Sequence, residues 1–222
     1  MTESKNIDVV APKKWMDGWD KIFSNMSGMT DEDLSRLDVV HSIQQLEHAF
    51  VITETKPEES QILELGCGDG SAACYLARLG CQVVAVDALA SAISVAQRRA
   101  RILSLTERVE FRLDDMDGWS IPVAKYDVVI AIQCLQYLFD RTLPRLREII
   151  DAIKPGGFLV YSGNILPHYD TDPPINFITP EELRSELKGW TFHVFGTDER
   201  LIHVDDLRGY VWTVARKPVE SD

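Results

Sequence analysis

The sequence predicts an α/β core with a mostly parallel sheet of seven strands and helices on both faces. Two observations indicate this fold class. From residue 61 to residue 162, short apolar runs typical of buried strands alternate with helical segments. Later, residues 189–195 and 209–216 alternate apolar and polar side chains at period two, which predicts a closing antiparallel pair.

Composition narrows the class of protein. The 222 residues suit a domain of ordinary size, and 35 acidic against 23 basic residues give a formal charge of −12. Such a chain lacks the cationic surface that nucleic acid requires. The N-terminus has no apolar signal segment, and no apolar run reaches the roughly 18 residues of a membrane span. We therefore expect a soluble, cytoplasmic protein that does not bind nucleic acid. These features leave the oligomeric state open and allow a homodimer.

A polar connector with a proline, residues 56–60, divides the chain. We expect an N-terminal extension and helical cap over residues 1–57. The core that follows is expected to span residues 58–222.

Two helices are predicted in the cap. Trp15, Trp19 and Phe23 recur every four residues and form an aromatic stripe on one helical face. This stripe either packs against the core or closes over a ligand as a lid. Thr30 and the three acids after it predict the start of a second helix, which is expected to continue to Phe50.

The core begins with a short apolar strand that turns through three glycines into a helix. Residues 62–65 have the pattern of a buried parallel strand. Gly66, Gly68 and Gly70 allow positive φ and let a ligand lie against the main chain. The helix over residues 71–79 presents free N–H groups to that ligand. A tight turn alone would also use glycines, but the arrangement is typical of a nucleotide-type cofactor site.

A carboxylate lies at the end of the second predicted strand, at the same edge of the sheet as the glycine loop. Asp87 ends the second strand, 21 residues after Gly66, where a carboxylate can accept hydrogen bonds from ribose hydroxyls or cap the next helix. Because ligands of open α/β sheets bind at the carboxyl ends of the strands, these ends form the expected site. The other predicted elements of the core are a helix at 88–103, a strand at 109–113, a strand at 126–132, a helix at 142–152 and a strand at 158–162.

Two motifs resemble the class I S-adenosylmethionine-dependent methyltransferase family. The run Glu64-x-Gly66-x-Gly68-x-Gly70 resembles the family's first motif, and Lys154-Pro155-Gly156-Gly157 resembles the turn that enters its fifth strand. The resemblance spans residues 61–217. It implies the family's Rossmann-like fold, S-adenosylmethionine as cofactor and S-adenosylhomocysteine as product. The cofactor-binding residues it implies are Glu64, Gly66, Cys67, Gly68, Asp87, Ala88, Asp115, Met116 and Gln133.

Within this set, the adenine contact has an alternative. The resemblance places Asp115 on the adenine amino group and Met116 on the ring, but Asp114 stands where many members have glycine, so the contact can shift to Asp114.

A nicotinamide-dependent oxidoreductase is disfavoured. Ser71 occupies the position of the third dinucleotide-motif glycine, and Glu64 would repel a pyrophosphate.

The resemblance implies methyl transfer to an O, N or C nucleophile of a small molecule, without a metal. No Asn/Asp-Pro-Pro motif or acid follows the fourth strand, and the four cysteines show no metal-ligand spacing. His168, in the long loop over residues 163–178, is the candidate general base. A methyltransferase with a protein substrate and a cofactor-binding protein without transferase activity remain alternatives.

Overall fold

The computed structural model describes residues 14–165, 175–203 and 206–219. Within these ranges seven strands form one sheet, and helices cover both of its faces. The strands are β1 (Gln61–Leu65), β2 (Gln82–Asp87), β3 (Val109–Leu113), β4 (Tyr126–Ile132), β5 (Ile153–Asn164), β6 (Thr191–His203) and β7 (Asp206–Arg216). The helices are α1 (Lys14–Met26), α2 (Asp31–Ser35), α3 (His41–Ile52), α4 (Ser71–Arg78), α5 (Ala90–Ile102), α6 (Thr142–Ala152) and α7 (Pro180–Glu186).

The sheet has the strand order β3-β2-β1-β4-β5-β7-β6. Strands β1 to β5 pair in parallel, whereas β7 lies antiparallel between β5 and β6. The predicted mixed sheet with a C-terminal antiparallel pair is therefore confirmed. The strand order reverses between β1 and β4, so the carboxyl ends of these strands form the crevice in which open α/β sheets bind ligands.

The two faces of the sheet carry separate apolar cores. Leu63 and Leu65 of β1 belong to the core beneath α6 and α7, and Ile62 belongs to the core beneath α3 and α4. Because side chains alternate along a strand, Glu64 shares the face of Ile62. Its carboxylate is thus directed toward the start of α4 and the N-terminal cap.

The N-terminal cap forms as predicted, except that the long second helix is two helices. Thr30 caps α2 with the predicted hydrogen bond from the Asp33 amide, but α2 ends at Ser35 and Arg36 is extended. The chain becomes helical again only at His41. The prediction of one helix up to Phe50 is therefore wrong, and the reason is a buried side chain that binds the carbonyl groups at the end of α2, described below.

Strands β5, β6 and β7 extend beyond their predicted runs. β5 begins at Ile153 instead of Phe158, and its pairing with β4 shifts register between Ile153 and Phe158. The intervening Lys-Pro-Gly-Gly segment therefore forms an irregularity inside the strand, with Gly156 at φ +77°. Among the described residues, no helix is long and apolar enough to cross a membrane.

Candidate cofactor site

The glycine loop between β1 and α4 is held by close packing. Gly66 has φ +66°, and a Cβ there would lie 2.6 Å from the Cβ of Cys134, which follows β4. Gly70 has φ +73°, and a Cβ there would lie 2.7 Å from the Cβ of Ala96 in α5. Both positions therefore require glycine for backbone conformation and for space.

Gly68 connects the loop to the next strand and to the cap. Its amide donates a 2.9 Å hydrogen bond to Oδ2 of Asp87, at the end of β2. The ring of Phe23 in α1 would lie 3.1 Å from a Cβ at Gly68. Phe23 of the aromatic stripe thus lies directly on the loop, as the lid interpretation of the stripe requires.

Asp87 is held in place by main-chain donors. Its Oδ1 accepts a 2.9 Å hydrogen bond from the Leu89 amide, and the Ala88 amide also hydrogen-bonds the carboxylate. Burial raises the pKa of Asp87 above its ordinary value, although these amide donors oppose the shift. Each carboxylate oxygen can accept more than one hydrogen bond, so the fixed carboxylate keeps acceptor capacity for a ligand.

Glu64 is the most unusual acid of the site. It is only 5 % exposed, and among the described residues its Oε2 has no hydrogen-bond partner. Burial raises its pKa to about 8, and the nearby charges of Asp69 and Asp87 add to this shift. An unpartnered buried carboxylate oxygen beside two further acids is a site that a cationic group would stabilise.

Arg99 of α5 is a residue of the site that the sequence analysis did not identify. Its Nη2 lies 2.6 Å from Oδ2 of Asp69 in the glycine loop, and its side chain is buried. In the sequence it stands in a basic cluster with Arg98 and Arg101, a pattern typical of a solvated helix face, but the structure buries Arg99. Arg99 follows Ala92 and Ala96 at the spacing of the buried stripe of α5. The helical period of this stripe in the sequence therefore indicates that Arg99 is buried.

The residues predicted to bind adenine follow β3. Met116 lies near the glycine loop, with its Cε 3.8 Å from where a Cβ of Gly66 would be. Asp115 is exposed, and its Oδ1 accepts a hydrogen bond from the Asp117 amide. The main-chain amide of Asp114 donates a 3.1 Å hydrogen bond to the Asp87 carbonyl. The structure thus brings this turn beside Asp87 and leaves both aspartate carboxylates available as alternatives.

A network of side-chain amides follows β4. Gln133 has φ +55°, an uncommon conformation for a residue other than glycine, and its Nε2 donates to Oγ of Ser162 at 3.1 Å. Gln136 is 2 % exposed and donates its Nε2 to the Gln133 carbonyl at 3.0 Å. Its Oε1 is buried and has no partner within the described ranges. Gln136, which the sequence analysis passed over, therefore presents a second unpartnered acceptor at this edge of the sheet.

The remaining predicted positions contribute little chemistry. Cys67 is buried, and burial raises the pKa of its thiol, so the thiol is protonated near neutral pH. His168 lies outside the described residues, so its role as a base remains a prediction. Within the described part of the chain, no group of three or more His, Cys, Asp or Glu side chains could hold a metal ion.

Helix α1 crosses the cleft above these residues. On one side, Oγ of Ser91 in α5 donates to Asp20 at 2.6 Å. On the other side, Nε1 of Trp19 donates to the hydroxyl of Tyr137, after β4, at 3.1 Å. The cap therefore connects the two walls of the cleft. The fold is Rossmann-like, and the residues predicted to bind a cofactor at β1, β2, β3 and β4 lie at the switch point of its sheet.

Comparison with known proteins agrees with this geometry. A family model described as a methyltransferase domain matches residues 62–157. A 2-methyl-6-phytyl-1,4-hydroquinone methyltransferase of Synechocystis is 25 % identical over 197 residues, covering 85 % of this chain and 59 % of that protein. A mitochondrial ubiquinone biosynthesis O-methyltransferase of Schizosaccharomyces pombe is 35 % identical over 103 residues, covering 46 % and 37 %.

A solved structure shows the same fold. An S-adenosylmethionine-dependent methyltransferase of Methanosarcina mazei superposes with a TM-score of 0.56 at 20 % identity, covering 77 % of this chain and 98 % of that one. The chain is therefore similar to methyltransferases in the sequence of residues 62–157 and in its fold. It spans less than two thirds of the length of the two curated relatives named above.

Proposed function

We propose that this protein binds S-adenosylmethionine and transfers its methyl group to a nucleophilic O, N or C atom of a small molecule. The observation that carries the proposal is the buried, unpartnered Oε2 of Glu64 beside the glycine loop. S-adenosylmethionine carries an ammonium and a sulfonium, so the acids around the loop attract it, whereas they would repel the pyrophosphate of a dinucleotide.

Each part of the cofactor has a candidate partner. Glu64 would accept from the ammonium group, and Gly66, Cys67 and Gly68 would lie along the methionine and the sugar. The Asp87 carboxylate, already fixed by the Gly68 amide, would accept from the ribose hydroxyls. The further candidate contacts are Ala88 beside the ribose, Met116 and Asp115 or Asp114 at the adenine, and Gln133 at the end of β4.

The cofactor supplies a methyl group on a good leaving group, so the protein mainly has to hold the acceptor in line at short distance. Gln136 is suited to this task, because its unpartnered Oε1 can accept a hydrogen bond from an acceptor that carries a proton. An oxygen acceptor is supported by the names of several relatives, which include O-methyltransferases of ubiquinone biosynthesis and of fatty acids. His168 is the proposed base for such an acceptor.

Methyl transfer is tested directly with S-adenosylmethionine labelled in its methyl group. Hydroquinones, fatty acids and a cell-extract protein fraction are offered separately, and label is followed into each. Transfer to a hydroquinone or a fatty acid would support the proposal. Transfer only to protein would favour the protein-methylating alternative, and cofactor binding without transfer to any fraction would favour a cofactor-binding protein.

A further inference from the structure

The guanidinium of Arg99 is a buried junction between the N-terminal cap and the glycine loop. Arg99 is 2 % exposed although it carries a permanent charge. Toward the loop, its Nε donates to the Asp69 carbonyl at 3.0 Å and its Nη2 donates to the Asp69 carboxylate at 2.6 Å. Toward the cap, its Nη1 donates to the carbonyls of Leu34 and Arg36 at 2.6 and 2.7 Å.

The loop side of this junction sets the start of α4. Asp69 lies between Gly68 and Gly70, and its carboxylate accepts hydrogen bonds of 3.0 Å from both the amide and the hydroxyl of Ser71. The same carboxylate therefore holds the first residue of α4 and receives Arg99. Any movement of Asp69 that changes the glycine loop also disturbs the bonds of Arg99.

The cap side of the junction explains where α2 ends. The last carbonyl groups of a helix have no partner within the helix. Here the carbonyls of Leu34 and Arg36 receive a charged donor instead, and the chain leaves the helical conformation at Arg36. Leu34 is fully buried, so the segment is fixed by packing as well as by hydrogen bonds.

The other polar contacts of the cap are more accessible to water. The Arg98–Asp31 ion pair leaves the Asp31 side chain 70 % exposed, and the Trp19–Tyr137 and Asp20–Ser91 bonds also lie at the surface. Exposed contacts of this kind contribute little individually. The planar fork of Arg99 can reach two elements at once, which a lysine ammonium on a single stem cannot match.

We propose that Arg99 is a positioning residue that couples closure of the cap to the conformation of the glycine loop, so that cofactor binding and cap closure stabilise each other. This inference rests on the proposed cofactor site. Arg99 makes no contact with the cofactor in this account. It acts through Asp69 on the loop and through the Leu34 and Arg36 carbonyls on the cap.

The test measures hydrogen exchange of residues 14–36 and the affinity for S-adenosylhomocysteine on the full chain. The variants are Arg99→Met, which removes all the donors, and Arg99→Lys, which keeps the charge. Arg101→Met is the matched control, because Arg101 lies exposed on the same helix. In the parent and the control, S-adenosylhomocysteine should slow exchange of the cap about tenfold or more.

In Arg99→Met, exchange of the cap should be fast with and without ligand, and the Kd should rise about tenfold or more. Arg99→Lys should lie between Arg99→Met and the parent. A general structural role would instead raise exchange throughout the chain, including β4 and β5. The proposal is overturned if Arg99→Met keeps the ligand-induced slowing of the cap, or loses affinity while exchange of the cap stays unchanged.

Two outcomes need a second comparison. If Arg99→Met does not fold, Arg99→Lys decides, and a cap response equal to that of the parent overturns the coupling.

If the parent does not bind S-adenosylhomocysteine, the proposed function fails, and exchange without ligand then tests the junction alone. Faster exchange of residues 14–36 in Arg99→Lys than in the parent supports the junction, and equal exchange overturns it.

Discussion

The main-chain amide of Gly68 in the glycine loop and the carboxylate of Asp87 at the end of β2 are joined by a hydrogen bond of 2.9 Å. This bond fixes the glycine loop against the end of β2. It also fixes the direction of the carboxylate that we assign to the ribose. Asp87 is therefore expected to contribute both to the shape of the loop and to the affinity for the cofactor.

Replacing Asp87 by alanine should weaken binding of S-adenosylhomocysteine by roughly 2–4 kcal/mol, because charged hydrogen bonds to two ribose hydroxyls are lost. Asp87→Asn should have a smaller effect, since it keeps one acceptor oxygen. Titration calorimetry gives the affinities, and thermal unfolding shows whether the variants fold. Unchanged affinity in a folded Asp87→Ala protein would refute the assignment.

Glu64 should make ligand affinity depend on pH. Its pKa of about 8 means that much of the carboxyl is protonated at pH 7 in the free protein, whereas an ammonium ligand pairs with the ionised form. The affinity for S-adenosylhomocysteine should therefore increase between pH 6 and pH 8, with release of protons. Calorimetry in two buffers of different ionisation enthalpy measures that release. Glu64→Gln should bind more weakly and should lose this contribution to the pH dependence.

The raised pKa of Glu64 makes the stability of the folded protein fall as pH rises, whereas the affinity for the ligand rises. The folded-state pKa of Glu64 is raised from 4.5 to about 8, so between these values the folded protein binds more protons than the unfolded chain. The stability contributed by Glu64 is present below pH 4.5 and is lost as pH rises through 8. Denaturant unfolding of Glu64→Gln should show a weaker fall of stability over this window. An identical pH profile in both proteins would contradict the raised pKa.

Three glycine-to-alanine variants separate backbone strain from lack of space. Gly66→Ala should lose about 2–5 kcal/mol of stability, since positive φ and a 2.6 Å contact both oppose the new Cβ. Gly189 has φ +86° but open space, so Gly189→Ala should lose only about 1–2 kcal/mol. Gly18, inside α1 with open space, should gain about 0.5–1 kcal/mol as alanine. Equal losses for Gly66→Ala and Gly189→Ala in denaturant unfolding would show that packing at Gly66 does not matter.

The proposed base is tested on the acceptor identified by the labelling experiment. His168→Ala should lower turnover roughly 10²-fold while leaving the affinity for S-adenosylhomocysteine nearly unchanged. His48→Ala is a matched control, because His48 is exposed on α3. Parent-like turnover in His168→Ala would mean that another group takes the proton or that the acceptor needs no base.

Local patterns in the sequence predicted most of the fold, whereas the cofactor contacts stay predictions. β3, β4 and α6 have the predicted bounds, because their apolar periods coincide with the hydrogen-bonded elements. The end of α2 was not predictable locally, since it depends on Arg99, which is more than 60 residues away. The pairing of Ile153 with Tyr126, which lengthens β5, is a contact between two strands and leaves no apolar run in the sequence.

Gln136, which we propose on the acceptor side, was less predictable for the same reason. Gln136 becomes distinctive only when the fold buries its carboxamide and leaves Oε1 without a partner among the described residues. Nothing in its immediate sequence separates it from a surface glutamine. Glu64, in contrast, was identified from its motif, and the structure adds the burial that raises its pKa.

The most direct test of the account is a calorimetric titration of the parent protein with S-adenosylhomocysteine, run in parallel with NAD. We expect S-adenosylhomocysteine to bind at a single site with a Kd in the micromolar range or tighter, about −8 kcal/mol or more favourable. NAD is expected to give no binding heat at the same concentrations. Binding of NAD in preference to S-adenosylhomocysteine would contradict the assignment of the site.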